Sequence, residues 1–430
     1  MTRAQLGAVA AMSLAATGLV LADGSGDESS AAVREALARV SIARPAAAPV
    51  AHRGPAHARH AAVPVDHPAP SSSSADTTSA PAPVSTPAAP APAAKPKVKP
   101  AAKAPAAPKP SKVRHVFVVA LTGTGVEPTF GDASPASYLA KELRPKGTLL
   151  DNYVPLDNAD LTNYLALVSG QPPNADTEAE CATYQDFGSD AKLGKNGVLS
   201  GDGCIYPNTV LTIGDRLTAS GSSWRAYSED MEKGAAGAPA CRRPDLPGSD
   251  ATLKGRPDDQ YATRHNPFVY FHSALDLGDC IANDVTLDKL GDDLKSVRTT
   301  PNLAFIAPNL CNSGTELPCA DGRPGGLAEV DAFLHEWIPK IQRSAAYRHD
   351  GLIMITFLSG PPAADPGAAP PRTGVLLLSR YAKAGSTDDA PYDPYSLLRS
   401  IGDVFALKPL AKAAGAASFA AADLPQAFGH

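Results

Sequence analysis

The chain has 430 residues, a net charge of −5 and 43% hydrophobic residues. That composition is ordinary for a water-soluble globular protein, but the chain is too long to form one compact core, so part of it lies outside the fold. Nothing in the charge balance favours nucleic acid as a partner.

The N-terminus, MTRAQLGAVAAMSLAATGLVLADG, places one Arg ahead of an apolar run from Leu6 to Ala22, with Val20 and Ala22 in a small-residue cleavage pattern. Residues 1–22 read as a secretory signal peptide, with an uncleaved N-terminal anchor as the alternative. Residues 23–43 contain SSAAVREALARVSIA, a short helical pattern of insufficient length to be stable alone. Residues 44–112 turn to Ala, Pro, Ser and Lys and lack the large apolar side chains that offset ordering entropy, which predicts a disordered, partly polyproline linker. Its end carries Lys95, Lys97, Lys99, Lys103, Lys109 and Lys112 with no intervening acid. Such a run is suited to an anionic cell-wall polymer or a membrane surface, or serves as a solvated spacer.

From residue 113 to 430, short apolar runs alternate with helical patterns. HVFVVAL, LLDNYVP, SWRAYSED, NLAFIAP, GLIMITFL and TGVLLLSRY read as strands, several of them apolar at nearly every position, as in a sheet covered on both faces. SPASYLAKELRP, TVLTIGDRLTASG, TLDKLGDDLKS, GGLAEVDAFLHEWIPKIQRSAAY and DPYSLLRSIGDVFAL have helical spacing and begin at Ser, Thr, Gly or Asp. The alternation predicts an α/β sandwich with a mostly parallel central sheet flanked by helices, and such sheets place their sites beyond the carboxyl ends of the strands.

All six cysteines, Cys181, Cys204, Cys241, Cys280, Cys311 and Cys319, fall in this domain. An even number in an exported chain predicts three disulfides; of the fifteen connectivities, pairing neighbours in order closes the smallest loops. No CxxC pair is present, which argues against a thiolate zinc site or a thioredoxin-type motif.

The strand ends offer few metal donors. Thr122, Gly123, Thr124, Ser313, Thr315, Leu358 and Ser359 are poor ligands, and the nearby carboxylates are Glu127, Glu316, Asp157 and Asp160. Asp157 and Asp160, in DNADLTNYLALVSGQ, read as helix caps more readily than as cation ligands. His265 in RHNPFVYF is the imidazole most suggestive of a cleft, whereas His115, His335 and His349 read as structural or surface groups. HExxH, GxSxG and a phosphate-loop spacing are absent.

Taken in order, HVFVVAL, TFGDASPASYL, NYLALVSGQ, SWRAYSEDM, YATRHNPFVYF, PNLAFIAPNLCN, DGRPGGL, DAFLHEWIPKI, GLIMITF and YSLLRSIGDVF resemble the bacterial phosphoesterase family, acid phosphatase and phospholipase C-like, of the alkaline-phosphatase superfamily. The resemblance implies that superfamily's fold, and for typical members divalent metal ions and a Ser or Thr nucleophile. It also implies five departures in this chain. A Glu-Asn pair after the first strand is Thr122-Gly123, and the attacking hydroxyl is Asp160. An Asn-Asp-Gly-His-Asp run is Asn312-Ser313-Gly314-Thr315-Glu316, an Asp-Glu pair is Leu358-Ser359, and an Asn-His pair is Asp393-Pro394.

The reading that follows is a secreted or envelope-tethered, extracytoplasmic pseudoenzyme whose cleft binds or scaffolds, with no cofactor and with Asp157, Asn158, Asn163, Arg264 and Asn312 as candidates for lining it. The alternative is an active phosphate-ester hydrolase with a non-standard site, in which Asp160 and His265 are the catalytic candidates, Asp160 acts as phosphoryl acceptor and a divalent metal is retained. A third reading makes the Lys-rich linker the working part. An unknown protein partner is left open.

Overall fold

The computed structural model describes residues 111–422 except 124, 235–237 and 361–369, together with Leu424 and Ala427. The expected signal or anchor, the short helix and the linker up to residue 110 lie outside the described residues, as does Thr124.

Eight strands form one sheet: β1 (His115–Leu121), β2 (Thr148–Leu150), β3 (Trp224–Ser228), β4 (Asp284–Thr286), β5 (Leu303–Ala307), β6 (Gly351–Phe357), β7 (Val375–Ser379) and β8 (Ser386–Asp388). Their order across the sheet is β8-β2-β7-β6-β1-β5-β3-β4. β7 runs antiparallel to β6 and β2, and the remaining pairings are parallel. The mostly parallel sheet expected from the apolar runs is therefore present. LLDNYVP contributes only its first two residues to a strand, because Asp151, Asn152 and Pro155 break the run. The short edge strands β4 and β8 carry Asp and Thr rather than an apolar run, which is why no strand pattern marks them.

Every residue of β1 is buried, and its side chains alternate between two cores. Val116, Val118 and Ala120 pack with Leu161, Tyr164, Leu165 and Val168 of helix α1 (Asp160–Ser169) and with Leu397, Leu398 and Ile401 of helix α4 (Pro394–Val404). Phe117, Val119 and Leu121 face the other way, against Val330, Phe333, Leu334, Trp337, Ile338 and Ile341 of helix α3 (Gly326–Arg343). The eight-residue helix α2 (Ile213–Ser220) adds Ile213 and Leu217 to the first core. Burial on both faces accounts for the near-continuous apolar reading of β1 and β6. SPASYLAKELRP departs from the expected α-helix: Leu139–Leu143 is a π-type turn that passes directly into a 3-10 turn at Arg144–Lys146, where Pro145 removes a backbone donor.

Because β1, β5 and β6 are parallel, their carboxyl ends share one edge of the sheet. Backbone hydrogen bonds stitch the loops there: Leu358 N–H to Leu121 O at 2.7 Å, Thr122 N–H to Ser313 O at 3.0 Å, and Gly123 N–H to Ser359 O at 3.1 Å. Gly123 and Gly314 make this approach feasible. Both have left-handed φ (+88° and +96°), and a Cβ on Gly314 would lie 2.7 Å from the Thr122 carbonyl oxygen and 2.9 Å from Val330 Cγ2. The substitution Gly314→Ala is expected to lower the unfolding free energy by about 2 kcal/mol or more, combining the left-handed cost with the clash. Urea titration at pH 7 measures this, and an unchanged midpoint would contradict the packing described.

Candidate functional site

Helix α1 starts at the shared strand edge with Asp160 as its first residue. The preceding Ala159 has no side-chain acceptor. The expectation that Asp157 and Asp160 cap this helix is corrected: the Asp157 carboxylate accepts the Ala159 N–H (2.7 Å) within the turn, and capping falls to Glu180. Glu180 Oε1 accepts from Asp160 N–H at 2.7 Å and Oε2 from Leu161 N–H at 2.9 Å, so a carboxylate twenty positions along the chain sits at the positive end of the helix. Glu180 and Cys181 both hold left-handed φ (58° and 48°), and the Cys181–Cys204 disulfide anchors that turn.

The Asp160 side chain points to the strand ends and is 6% exposed. Oδ2 lies 3.1 Å from His265 Nε2, 3.4 Å from Arg264 Nε and 3.4 Å from the Thr315 hydroxyl; Oδ1 accepts from Ser359 Oγ at 2.5 Å. The hydroxyl of Thr315 is hydrogen-bonded to that of Thr122 and lies 3.0 Å from Ser313 Oγ. His265 is 2% exposed, stacks on Tyr164 with ring centroids 5.1 Å apart and faces the Pro308 carbonyl with Nδ1. The Tyr164 hydroxyl donates to Ala120 O (3.1 Å), tying the stack to β1. Arg264 Nη1 donates to the Leu253 carbonyl at 2.9 Å.

Burial alone would raise the Asp160 carboxyl, but the His265 hydrogen bond and charge, the Arg264 guanidinium and the Ser359 hydroxyl outweigh it and hold its pKa at about 2. Desolvation and then the Asp160 charge push Glu180 up to about 7, against Arg264 and two backbone donors. Asp160 and Arg264 are thus a charged, hydrogen-bonded pair shut away from water.

The structure brings together Asp160, Arg264, His265, Thr122, Ser313, Thr315 and Ser359, and leaves the other candidates elsewhere. Asn163 is a brace for the turn: its Oδ1 accepts Leu156 N–H (2.7 Å) and its Nδ2 donates to the Asp157 and Ala159 carbonyls (2.8 Å each). Asn158 Oδ1 is buried without a partner in that same turn. Asn312 belongs to a separate polar group, donating to Glu229 Oε1 (2.8 Å) and accepting from Arg323 (2.8 Å). Glu127 is exposed on the short helix Val126–Phe130, Leu358 is buried and apolar, and Gly123 closes the loop stitch. Glu316 accepts from Gly255 N–H and Ala320 N–H, bracing its loop. Pro394 opens α4, capped by Asp393. Sequence reasoning missed Glu180; its one marker is the adjacent disulfide cysteine, since its partner lies in a different element.

The disulfides join Cys181–Cys204, Cys241–Cys280 and Cys311–Cys319, the neighbour-in-order pairing. Among the described residues, the groups of three His, Cys, Asp or Glu donors within reach of one ion are Cys241, Cys280 and Asp284, and Cys311, Cys319 and Asp321; in both, the sulfurs are already bonded to each other. Three disulfides are suited to an oxidising compartment. No helix among the described residues is long and apolar enough to cross a membrane.

This α/β sandwich with its polar site at the parallel strand ends belongs, by sequence, to a defined family. The sequence pattern of the phosphoesterase family matches residues 133–408, and the chain is a member of it. Among curated proteins it is similar to a phosphate-repressible acid phosphatase of Penicillium chrysogenum, 28% identical over 296 residues, 68% of this chain and 59% of the relative; the chain thus spans about three fifths of that protein's length. Among solved structures it is similar to a Vibrio parahaemolyticus protein in the alkaline phosphatase superfamily (TM-score 0.42, 11% identity, 71% of this chain and 70% of that one). It is also similar to the Listeria monocytogenes lipoteichoic acid synthase LtaP (TM-score 0.40, 8% identity, 70% and 74%).

Two predictions follow from the electrostatics. Asp160→Ala strands a buried guanidinium and is expected to cost about 3–5 kcal/mol of stability, measured by denaturant unfolding; a loss under about 1 kcal/mol would mean the pair is not holding the loops. The second concerns pH. Asp160 is depressed, so its contribution is present above about pH 4 and is lost as pH falls toward 2. Glu180 and Glu229 (about 7) and Asp284 (about 8) are raised chiefly by desolvation, so stability declines as pH rises from about 4.5 through 8. Maximum stability is expected near pH 4–5, and Glu180→Gln should reduce the loss between pH 5 and 8 by on the order of 1–3 kcal/mol. Equal slopes for the two proteins would refute the assignment.

Proposed function

We propose that this protein is an exported phosphoesterase-family domain that does not hydrolyse phosphate esters and instead serves the cell envelope as a binding or scaffolding protein. The observation that carries this reading is the engagement of Asp160: both of its oxygens are taken by protein donors, with His265, Arg264 and Thr315 on one and Ser359 on the other. Every hydrogen bond to that carboxylate comes from the protein itself, which lowers its nucleophilicity toward phosphorus, and the guanidinium that would receive a phosphate is paired with the protein's own acid.

The divalent metal that the family implies would have to be held by the donors present. Among the described residues around Asp160 they are the hydroxyls of Thr122, Ser313, Thr315 and Ser359, one guanidinium, one imidazole whose Nε2 faces the carboxylate, and Glu180, whose two oxygens are engaged by helix N–H groups. Hydroxyls are weak ligands for divalent ions, and a carboxylate held by a guanidinium beside one engaged by backbone donors does not make a cation site. The residues do not fit a metal, and no step is routed through one. The disulfides support export, and the Lys-rich run at residues 95–112 supports attachment to an anionic wall polymer or membrane surface.

A second reading, an active hydrolase with a non-standard site, is favoured by the 28% identity to an acid phosphatase. It needs Asp160 or His265 to reach substrate, against exposures of 6% and 2%. The discriminating experiment incubates the oxidised full chain with zinc, manganese or calcium, dialyses it, and follows both metal content by elemental mass spectrometry and p-nitrophenyl phosphate hydrolysis from pH 4 to 8. Metal near zero and turnover at background are expected. One or two retained ions per chain, or turnover that Asp160→Asn abolishes while the fold is kept, would establish the hydrolase instead.

A further inference from the structure

At the far end of α1 from Asp160, a cavity of about 220 Å³ is lined by Ser169 and Gln171, the loop Lys195–Gly197, Thr209, Leu211 and Arg216 beside and within α2, and the segment Lys408–Ala411. The ten residues of α1 separate it from the strand-end site by roughly 15 Å. Its charged residues are Lys195, Arg216 and Lys408, and it contains no Asp or Glu. Among the described residues none of the three forms an ion pair, although most other arginines of the domain interior do. Arg216 Nε is moreover shut off from solvent with no hydrogen-bond partner.

Three cations lining one cavity without a counter-charge repel one another, and an anion bound there removes that cost; Arg216 Nε, closed to solvent, is not the atom it reaches. The nearest carboxylate on α2, Asp215, is already committed, accepting from Thr212 N–H (2.6 Å), the Thr212 hydroxyl (2.7 Å) and the Ser273 hydroxyl (2.9 Å). The walls are fixed from within: Gln171 Nε2 donates to Gly197 O (2.7 Å), its Oε1 accepts Leu199 N–H (2.8 Å), and Lys412 N–H donates to Gly170 O (3.1 Å). This framework holds the Lys195 loop and the Lys408 segment against the end of α1, with the planar fork of Arg216 inside and two lysines on the exposed rim.

We propose that this cavity binds a phosphate-type oxyanion, as free phosphate or as the phosphate group of a small ester. A doubly charged tetrahedral group matches three cations, a guanidinium fork favours paired oxygens, and the volume admits such a group with a short organic substituent. The site is separate from the strand-end cleft and does not rest on the reading of that cleft as non-catalytic.

The test is calorimetric titration of the oxidised full chain with sodium phosphate, glycerol phosphate and sodium chloride at constant ionic strength. Saturable binding of phosphate or the ester, absent with chloride, is expected; the stronger of the two identifies the source. Arg216→Gln should weaken it roughly tenfold or more. Should that variant fold poorly, the double replacement of exposed Lys195 and Lys408 by Ser is expected to weaken it comparably while leaving thermal stability intact. Equal heats with chloride, or retained affinity in the folded Arg216 or double-lysine variants, would overturn the proposal.

Discussion

The constraint on which the domain's strand-end edge depends is one buried carboxylate. Asp160 meets groups from three other parts of the chain: Arg264 and His265 from the loop before the aromatic run, Thr315 from the loop after β5, and Ser359 from the loop after β6. Charges removed from water are tolerated when they are paired and hydrogen-bonded, and this pair is both. The helix that carries Asp160 has a second acid, Glu180, at its start. Two carboxylates and one guanidinium therefore share a small volume, which drives one acid down and the other up.

The surroundings are built to hold that arrangement. The backbone stitch between the ends of β1, β5 and β6 requires glycine at both points of closest approach, and the Cys311–Cys319 disulfide closes the loop that presents Thr315. Tyr164 links the imidazole to β1 by stacking on one side and a hydrogen bond on the other. On the proposed reading, a family frame that elsewhere presents an attacking group to a phosphate ester here presents a closed polar knot, stable but chemically occupied. An anion that binds this domain would then be received at the open, uncompensated cations beyond the other end of α1.

The sequence by itself determined the layers and the family. Short continuous apolar runs bounded by turn residues read as strands covered on both faces, so β1, β5, β6 and β7 were legible, as were the long amphipathic α3 and the Pro-started α4. The motif order pointed to the phosphoesterase family, and Asp160 and His265 were legible as singular polar residues in that frame. Tertiary structure alone decided their partnership, because residues 105 positions apart meet only when α1 and the Arg264–His265 turn pack on the same sheet edge. It also decided that Glu180, not Asp157 or Asp160, closes the helix end, and that Asn312 joins Glu229 and Arg323 instead of the cleft. The physical reason is common to all three: hydrophobic periodicity is a local property that a few neighbouring residues express, whereas hydrogen bonds and charges select partners by distance in space, which the chain acquires only on folding.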